Sequence, residues 1–192
     1  MSTKKKAILI SSLALVVLLG GWTWLYPYSP FSLHKSYSFT PDPVVVDGYA
    51  ADLGEFKRTY EKDLDALHAD EGYDYITGQT QYILPLFEQE WLLTKEPVSM
   101  SMVDLGNLLF EVKTVRKTLL DLLGREDFPQ EKRMDLVTTL EGVLALEEAI
   151  VDMKTGKAES RKTLNIQYRN LHGSFLNNYM RYEIFYERAQ ME

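Results

Sequence analysis

The sequence predicts an all-α protein: a single N-terminal transmembrane helix, a proline-rich tether, and an antiparallel bundle of four to five helices. An uncharged run of 19 residues lies near the N-terminus, and four of the seven prolines follow it within a short segment. Beyond that segment, apolar residues recur at spacings of three and four, which is typical of amphipathic helices. No stretch alternates between apolar and polar residues for long enough to require a sheet.

The uncharged run covers residues 7–25 and follows three lysines at positions 4–6. As a helix it spans roughly 28 Å, which is close to the hydrocarbon thickness of a bilayer. Because basic residues favour the cytoplasmic side, residues 1–6 are predicted to be a short cytoplasmic tail, with the rest of the chain outside the cell membrane. Aromatic rings at headgroup level would anchor the outer end of this helix: Trp22, Trp24, Tyr26 and Tyr28.

A cleaved secretory signal is the alternative interpretation of residues 7–25, since it has the same basic start and apolar middle. Small side chains normally precede a cleavage site, but bulky residues such as Trp22 and Trp24 occupy the exit from this run. The sequence contains no cysteine, which excludes an acylated lipoprotein and a disulfide scaffold. We therefore predict an uncleaved signal-anchor, and the lack of cysteine favours a bacterial protein.

Residues 26–47 hold the four clustered prolines and show little periodicity. Proline fixes the backbone φ angle and removes a hydrogen-bond donor, so this segment is predicted to be an extended, semi-rigid tether. At about 3.1 Å per residue, it could hold the domain up to roughly 65 Å from the membrane. Three valines at 44–46 could form a short strand or a buried plug, and we expect them to dock against the bundle.

The helical bundle is predicted over residues 48–192, and Gly72 is placed to end its first helix. The apolar stripe of that helix consists of Tyr49, Leu53, Phe56, Tyr60, Leu64 and Leu67. A second helix is predicted from about Tyr73 to Thr94. Because Pro85 lies inside it, we expect a kink near residues 81–84 or a division into two shorter helices.

The third and fourth helices are predicted from signals at their ends. Ser101 and Asp104 resemble a capping box that opens the third helix, and Gly124 ends it. Pro129 suits the first turn of the fourth helix, and Gly156 lies just beyond its end. The inward residues of the third helix would be Leu105, Leu108, Val112, Val115, Leu119 and Leu122. Those of the fourth helix would be Val137, Leu140, Leu144 and Val151.

The fifth helix is the longest, from about Ala158 to Ala189, and its three-four register continues through Gly173 and Ser174. We therefore predict one continuous helix at this position. Its inward residues would be Leu164, Tyr168, Leu171, Phe175, Asn178, Tyr182 and Phe185.

Few residues of the chain suggest catalysis or metal binding. Asp65 and His68 have the i, i+3 spacing of a di-iron ligand pair, but His172, the other histidine of the domain, has Arg169 at the corresponding acidic position. No nucleophile elbow and no phosphate-binding glycine loop is present in the sequence. We therefore expect no enzyme activity, no metal and no cofactor.

The charge balance of the domain also excludes a class of partner. Only four of the 21 Lys and Arg residues and two of the 28 Asp and Glu residues precede Gly48, so residues 48–192 carry a net charge of −9. Such a surface repels nucleic acid and anionic lipid headgroups, and neither is expected as a partner.

All twelve tyrosines lie outside residues 83–167, so the bundle is predicted to have an aliphatic side and an aromatic side. Two interpretations of the aromatic side stay open. The rings could fill a wide gap between the first, second and fifth helices, or they could form an exposed groove or interaction surface. The candidate interaction surface on the fifth helix consists of Asn178, Tyr179, Arg181 and Tyr186.

The predicted function is that of a membrane-anchored, non-enzymatic module that binds another extracytoplasmic or membrane protein. The alternative is an extracytoplasmic ligand-sensing domain with an aromatic-lined pocket between its helices. A cytoplasmic tail of six residues is too short to carry a signalling output by itself, which argues against the sensor.

Overall fold

The computed structural model describes residues 3–33, 35–69, 74–125, 127–156 and 159–191. Over these residues the protein is mostly helical, with seven α-helices, one 3-10 turn and one two-stranded sheet. In chain order the elements are α1 (Thr3–Leu25), β1 (Ser36–Phe39), α2 (Pro43–Ala69), α3 (Tyr75–Ile83), the 3-10 turn (Leu84–Leu86), α4 (Glu90–Leu93), β2 (Val98–Ser101), α5 (Met102–Arg125), α6 (Gln130–Thr155) and α7 (Arg161–Gln190). The prediction of a mostly helical protein with an apolar N-terminal helix is confirmed.

A small antiparallel sheet departs from the all-α prediction. β1 and β2 pair so that Tyr37 lies opposite Met100 and Phe39 lies opposite Val98. The side chains of Tyr37, Phe39 and Met100 are buried in the core. Each strand has only four residues, which is too short for an alternating pattern to distinguish a strand from a loop.

Residues 26–47 do not form the predicted extended tether, and that prediction is corrected. Residues 26–33 fold into turns, β1 follows, and α2 begins at Pro43. Proline is compatible with turns and with the first helical position, where a missing N–H group leaves no hydrogen bond unmade. The clustered prolines therefore lie at turns and element boundaries, and the folded domain begins directly after α1.

The valines at 44–46 form the first turn of α2 rather than a strand or a plug. The Asp42 carboxylate accepts the N–H of Val44 at 2.9 Å, which satisfies one free donor at the start of the helix. Val46 is buried, whereas most of Val44 is exposed. The expected docking of this segment is thus limited to one side chain.

The break predicted in the second helix is found, and proline is its cause. The range predicted for that helix contains α3, the 3-10 turn and α4, and Pro85 lies inside the turn. Proline has no N–H group to continue the hydrogen bonds of α3. Gly72, the predicted end of the first helix, and Tyr73, the predicted start of the second, lie outside the described residues.

The cap and the register of α5 are as predicted. The Ser101 hydroxyl accepts the N–H of Asp104 at 3.2 Å, and the Asp104 carboxylate accepts the N–H of Ser101 at 2.7 Å. This reciprocal pair is a capping box with Asp in place of Glu. All six predicted inward residues are buried, and the helix ends at Arg125, next to Gly124.

α6 forms where it is predicted, but its predicted inward register is wrong. The buried residues are Leu136, Thr139, Gly142, Val143, Leu146, Ile150 and Met153. Val137 and Leu144 are instead 38 % and 44 % exposed. Because apolar residues occupy both faces of this helix, a three-four spacing can be traced along either face. The observed register places Gly142 against α7, where only a small residue fits.

α7 is one continuous helix of 30 residues, and all seven of its predicted inward residues are buried. It packs along α6, and aromatic rings of β1, α2 and α4 contact its rings from other directions. α7 is therefore the element on which the aromatic side of the domain is built.

Candidate functional site

The chain folds back immediately after α1, and two side chains of α1 hold the turn. The Trp22 indole Nε1–H donates to the Ser29 hydroxyl at 2.9 Å, and the N–H of Leu33 donates to the Thr23 hydroxyl at 3.2 Å. The rings of Trp22 and Tyr26 lie 4.9 Å apart. Ser29 is fully buried, so the connection between α1 and β1 is a packed part of the structure.

Tyr28 is a core residue, which corrects its prediction as a headgroup anchor. Its ring is 7 % exposed, and its hydroxyl donates to the Met100 carbonyl at 2.7 Å. Because that bond uses the single hydroxyl hydrogen, the short hydrogen bond with Tyr168 has the Tyr168 hydroxyl as its donor. Burial raises the pKa of Tyr28 to about 12, so the phenol stays protonated at physiological pH.

The other three predicted anchors lie at the surface near the end of α1. Trp22 and Trp24 are 44 % and 62 % exposed, and Tyr26 is half-buried. Trp24 lies 5.3 Å from the guanidinium of Arg161, the first residue of α7. These rings are placed where an interface anchor requires them, provided that α1 spans a membrane.

Arg161 connects the end of α1 to the aromatic core. Its guanidinium lies over the ring of Tyr37 at 5.4 Å as well as over the ring of Trp24. Tyr37 in turn stacks on Tyr168, with ring centroids 5.4 Å apart and an interplanar angle of 10°. A continuous series of contacts therefore runs from the exposed Trp24 ring, through Arg161 and Tyr37, to Tyr168 in the buried centre of α7.

The candidate interaction surface on α7 is not a surface, because two of its four residues are aromatic core residues. Tyr179 and Tyr186 are fully buried. The Phe56 ring on α2 lies edge-on to both of them, at 6.0 Å and 5.1 Å. The Tyr186 hydroxyl donates to the Asp63 carboxylate at 2.8 Å, so burial leaves its polar group satisfied. The structure favours the first interpretation of the aromatic side, in which the rings fill the space between helices.

The remaining two residues of that candidate surface are on the side of α7 that packs against α6. Asn178 is buried, and its side-chain NH2 donates to the Ser174 carbonyl at 2.8 Å. Arg181 is exposed, and its guanidinium donates to the Thr138 carbonyl at 3.3 Å. Of the four residues, Arg181 alone is accessible, so together they do not form an interaction surface.

His172 is a buried residue of α7 for which the sequence analysis assigned no role. Its ring contacts Phe39 and Trp91, with centroids 5.8 Å and 5.6 Å away. Burial lowers the pKa of His172, and a hydrogen bond with the Leu92 backbone partly opposes that shift. Its position beside Leu171 in the inward stripe was the only sequence signal for its burial.

Within the described parts of the chain, no group of three or more His, Cys, Asp or Glu side chains is arranged to hold a metal ion. Asp65 and His68 are exposed on the last two turns of α2. The two side chains are therefore an exposed i, i+3 pair on a solvated helix face.

Comparisons of the chain with protein-family models, with curated proteins and with solved structures found no match. The junction formed by the end of α1, the following turns, β1 and the start of α7 is the candidate functional site. Arg161 and Tyr37 are the members of this junction that sequence reasoning missed. Their contacts join segments more than 100 residues apart, and no local pattern indicates such a pairing.

Proposed function

We propose that the protein is a single-pass membrane protein, with a cytoplasmic N-terminus, that holds a helical bundle directly against the outer surface of the cell membrane. There it acts as a non-enzymatic module that binds another extracytoplasmic or membrane protein. One observation carries this proposal: Tyr28 lies in the core only three residues after Leu25, the last residue of α1.

The exposure of α1 supports a lipid environment. Residues 4–25 form a helix that is long and apolar enough to cross a membrane, and none of its apolar window is buried. Ile10 and Leu18, for example, are 67 % and 70 % exposed. Such a continuous apolar surface is unfavourable in water and favourable in hydrocarbon. The lysines at 4–6 support an orientation with the N-terminus inside.

The short connection limits where a partner can bind. Three residues span at most about 11 Å, so the core of the domain begins close to the end of α1. The hydrogen bonds of Trp22 and Leu33 restrict the connection further. A domain held in this way meets proteins at the membrane surface, which favours another membrane protein or a protein bound there as the partner.

The alternative function, a ligand sensor with an aromatic-lined pocket, has less support. Tyr179, Tyr182 and Tyr186 are fully buried, and their rings contact other aromatic rings. Their hydroxyls bond to Glu183, Thr80 and Asp63 respectively. Side chains that satisfy one another in this way leave few polar groups for a ligand.

Site-specific labelling tests the orientation, and the absence of cysteine makes it direct. Ser2→Cys places a thiol in the N-terminal tail, and Ala66→Cys places one on the exposed face of α2. In intact spheroplasts, a membrane-impermeant maleimide should label Ala66→Cys but label Ser2→Cys only after lysis. The reverse pattern, or recovery of a soluble chain that begins between Trp22 and Ser32, would contradict the proposal.

A linker insertion tests whether the membrane-proximal position matters for partner binding. A flexible Gly-Ser segment of about 20 residues between Leu25 and Tyr26 would move the domain roughly 25 Å away on average. Cross-linking in native membranes should then lose the partner that the wild-type protein captures. The same insertion after Gly156, in the connection between α6 and α7, is the control for the added length. Equal capture by both insertion variants would show that the short connection is unimportant.

A further inference from the structure

A cleft lies at the outer end of α1, where α1 meets β1 and the start of α7. Its volume is about 370 Å³, and its lining includes Gly20, Thr23, Trp24, Ser36 and Arg161. One wall is therefore the surface of the apolar helix, and the opposite wall supplies a guanidinium and a hydroxyl. An amphipathic molecule that carries an anionic group has the chemistry that complements these two walls.

Arg161 differs from the four arginines that the structure places in ion pairs. Among the described residues, Arg116, Arg125, Arg133 and Arg188 each form an ion pair with a carboxylate, whereas Arg161 forms none. Its position is fixed by the rings of Trp24 and Tyr37 instead. Contact with ring faces does not use the N–H donors of a guanidinium, so they stay available for an anion.

The start of α7 adds to the positive potential at this cleft. Arg161 and Lys162 occupy the first turn of α7, and that turn contains no acidic residue. Basic residues are unfavourable at a helix N-terminus, because the backbone dipole already places partial positive charge there. An anion bound beside Arg161 would relieve that repulsion. This local charge contrasts with the net charge of −9 carried by residues 48–192.

We propose that the cleft binds the phosphate headgroup of an anionic phospholipid, with its acyl chains lying along α1. The inference rests on the proposed membrane insertion of α1, which would place Gly20, Thr23 and Trp24 at headgroup depth. Arg161 binds the phosphate through paired N–H···O bonds, which suit the planar guanidinium better than the point charge of a lysine. The bound lipid would then fix the orientation of the domain on the membrane.

A lipid titration of the full-length protein tests the site. The protein is purified in detergent and titrated with phosphatidylglycerol or with phosphatidylcholine of the same acyl chains, and bound lipid is counted by native mass spectrometry. Arg161→Gln should weaken phosphatidylglycerol binding by about fivefold. It should weaken phosphatidylcholine binding less, because the choline cation already neutralises the charge of that phosphate. Arg161→Lys should lose less than Arg161→Gln, because it keeps the charge. Arg169→Gln, which removes an exposed arginine two turns along the same helix, is the matched control and should have no effect.

Two results would overturn the lipid site. An equal loss in Arg169→Gln would show that general surface charge attracts the lipid. Displacement of phosphatidylglycerol by excess inorganic phosphate would assign the cleft to free phosphate instead. If Arg161→Gln does not fold, as judged by circular dichroism, Trp24→Ala replaces it, since Trp24 is exposed. Its removal takes away one of the two rings that position the guanidinium, so phosphatidylglycerol binding should weaken. Unchanged binding in Trp24→Ala would then count against the site.

Carbonate extraction of native membranes separates failure of this inference from failure of the proposed function. A wild-type chain that stays in the membrane while Arg161→Gln binds lipid normally would overturn the lipid site alone. A wild-type chain that is extracted would overturn the membrane anchor, and the lipid site with it.

Discussion

The two sides of the domain are packed by different kinds of side chain. α5 and α6 bury mainly Leu, Val, Ile and Met, whereas α2 and α7 meet through tyrosine and phenylalanine. α3 contributes threonines, which bond to tyrosine hydroxyls of α7. An aliphatic core depends on shape and apolar area, and many arrangements of similar volume are tolerated. Each buried tyrosine also needs a partner for its hydroxyl, so the aromatic side is specified by direction as well as by shape.

The hydroxyl partners on the aromatic side come from several elements. The Tyr49 hydroxyl donates to the Phe87 carbonyl at 2.6 Å, and the Tyr182 hydroxyl shares a 2.6 Å hydrogen bond with the Thr80 hydroxyl. The Tyr28 hydroxyl reaches the Met100 carbonyl in β2. These bonds connect residues at least 38 positions apart in the sequence, so they constrain how α2, α3 and β2 are placed in the domain.

Removal of one large buried side chain from each side should produce the largest losses of stability. Leu119 and Tyr186 are both fully buried. Leu119→Ala should lower the free energy of unfolding by about 2–5 kcal/mol, and Tyr186→Ala by about 3–5 kcal/mol. Chemical denaturation of the membrane-free segment 26–192, whose folding must first be established by circular dichroism, measures both.

Exposed neighbours of the same residue types provide the controls. Leu120 is 50 % exposed and Tyr82 is 56 % exposed. Leu120→Ala and Tyr82→Ala should each change stability by no more than about 0.5 kcal/mol. A small loss in Tyr186→Ala, similar to that of Tyr82→Ala, would mean that Tyr186 is a surface residue after all.

Substitution of Gly142 tests the contact between α6, on the aliphatic side, and α7, on the aromatic side. A Cβ atom at Gly142 would lie 2.0 Å from Oδ1 of Asn178, which is itself held by a hydrogen bond to the Ser174 carbonyl. Gly142→Ala should therefore cost about 1–3 kcal/mol, despite the better helix propensity of alanine. A Cβ atom at Gly173 meets open space, so Gly173→Ala should be neutral or stabilising by up to about 1 kcal/mol.

A second substitution shows whether the steric contact is the cause. Asn178→Ala removes the side chain that the new methyl group would meet. The Gly142→Ala and Asn178→Ala changes should therefore be less than additive when combined. If the two losses of stability simply add, the cost of Gly142→Ala does not arise from contact with Asn178.

The same comparison explains which parts of the fold the sequence predicts. α5 has one apolar face opposed by a polar face, and its six buried residues are all predicted. All seven inward residues predicted for α7 are buried as well, but Tyr179, Tyr186 and His172 are buried beside them and were not predicted to be. α6 has apolar residues on two faces, and only its tertiary neighbours select the buried one. Gly142 is the residue that distinguishes the faces, but its role depends on Asn178 in another helix.

The junction at the end of α1 could be predicted only in part. Trp24 lies at the end of an apolar run, and the sequence predicts it to be an interface anchor. Proline suits both an extended tether and a series of turns, so composition alone does not distinguish them. The burial of Tyr28 depends on Met100 and Tyr168, which are distant in the sequence. Long-range pairings of this kind leave no local pattern.

Removal of single hydroxyls should have a smaller effect, confined to the aromatic side. Tyr49→Phe keeps the buried ring and deletes the hydrogen bond to the Phe87 carbonyl, so it should cost about 0.5–1.5 kcal/mol. Tyr82→Phe, at an exposed position, should have no measurable effect on the denaturation midpoint. Equal midpoints for the two variants would show that shape alone specifies the aromatic side, as it does for α5 and α6.

The smallest expected effect is a dependence of stability on pH that arises from His172. Burial against Phe39 and Trp91 lowers the pKa of His172 below its ordinary value of 6.5, and the Leu92 backbone hydrogen bond opposes the shift. As the pH falls below 6.5, the unfolded chain takes up a proton on this residue more readily than the folded chain, so the free energy of unfolding decreases. Well above pH 6.5, His172 is neutral in both the folded and the unfolded chain, so its contribution to the free energy of unfolding no longer changes with pH. Between about pH 7.5 and about pH 5, the free energy of unfolding should therefore fall less for His172→Phe than for the wild-type protein. Urea denaturation at a series of pH values measures both. Parallel profiles for the two proteins would mean that His172 is not buried against these rings in solution.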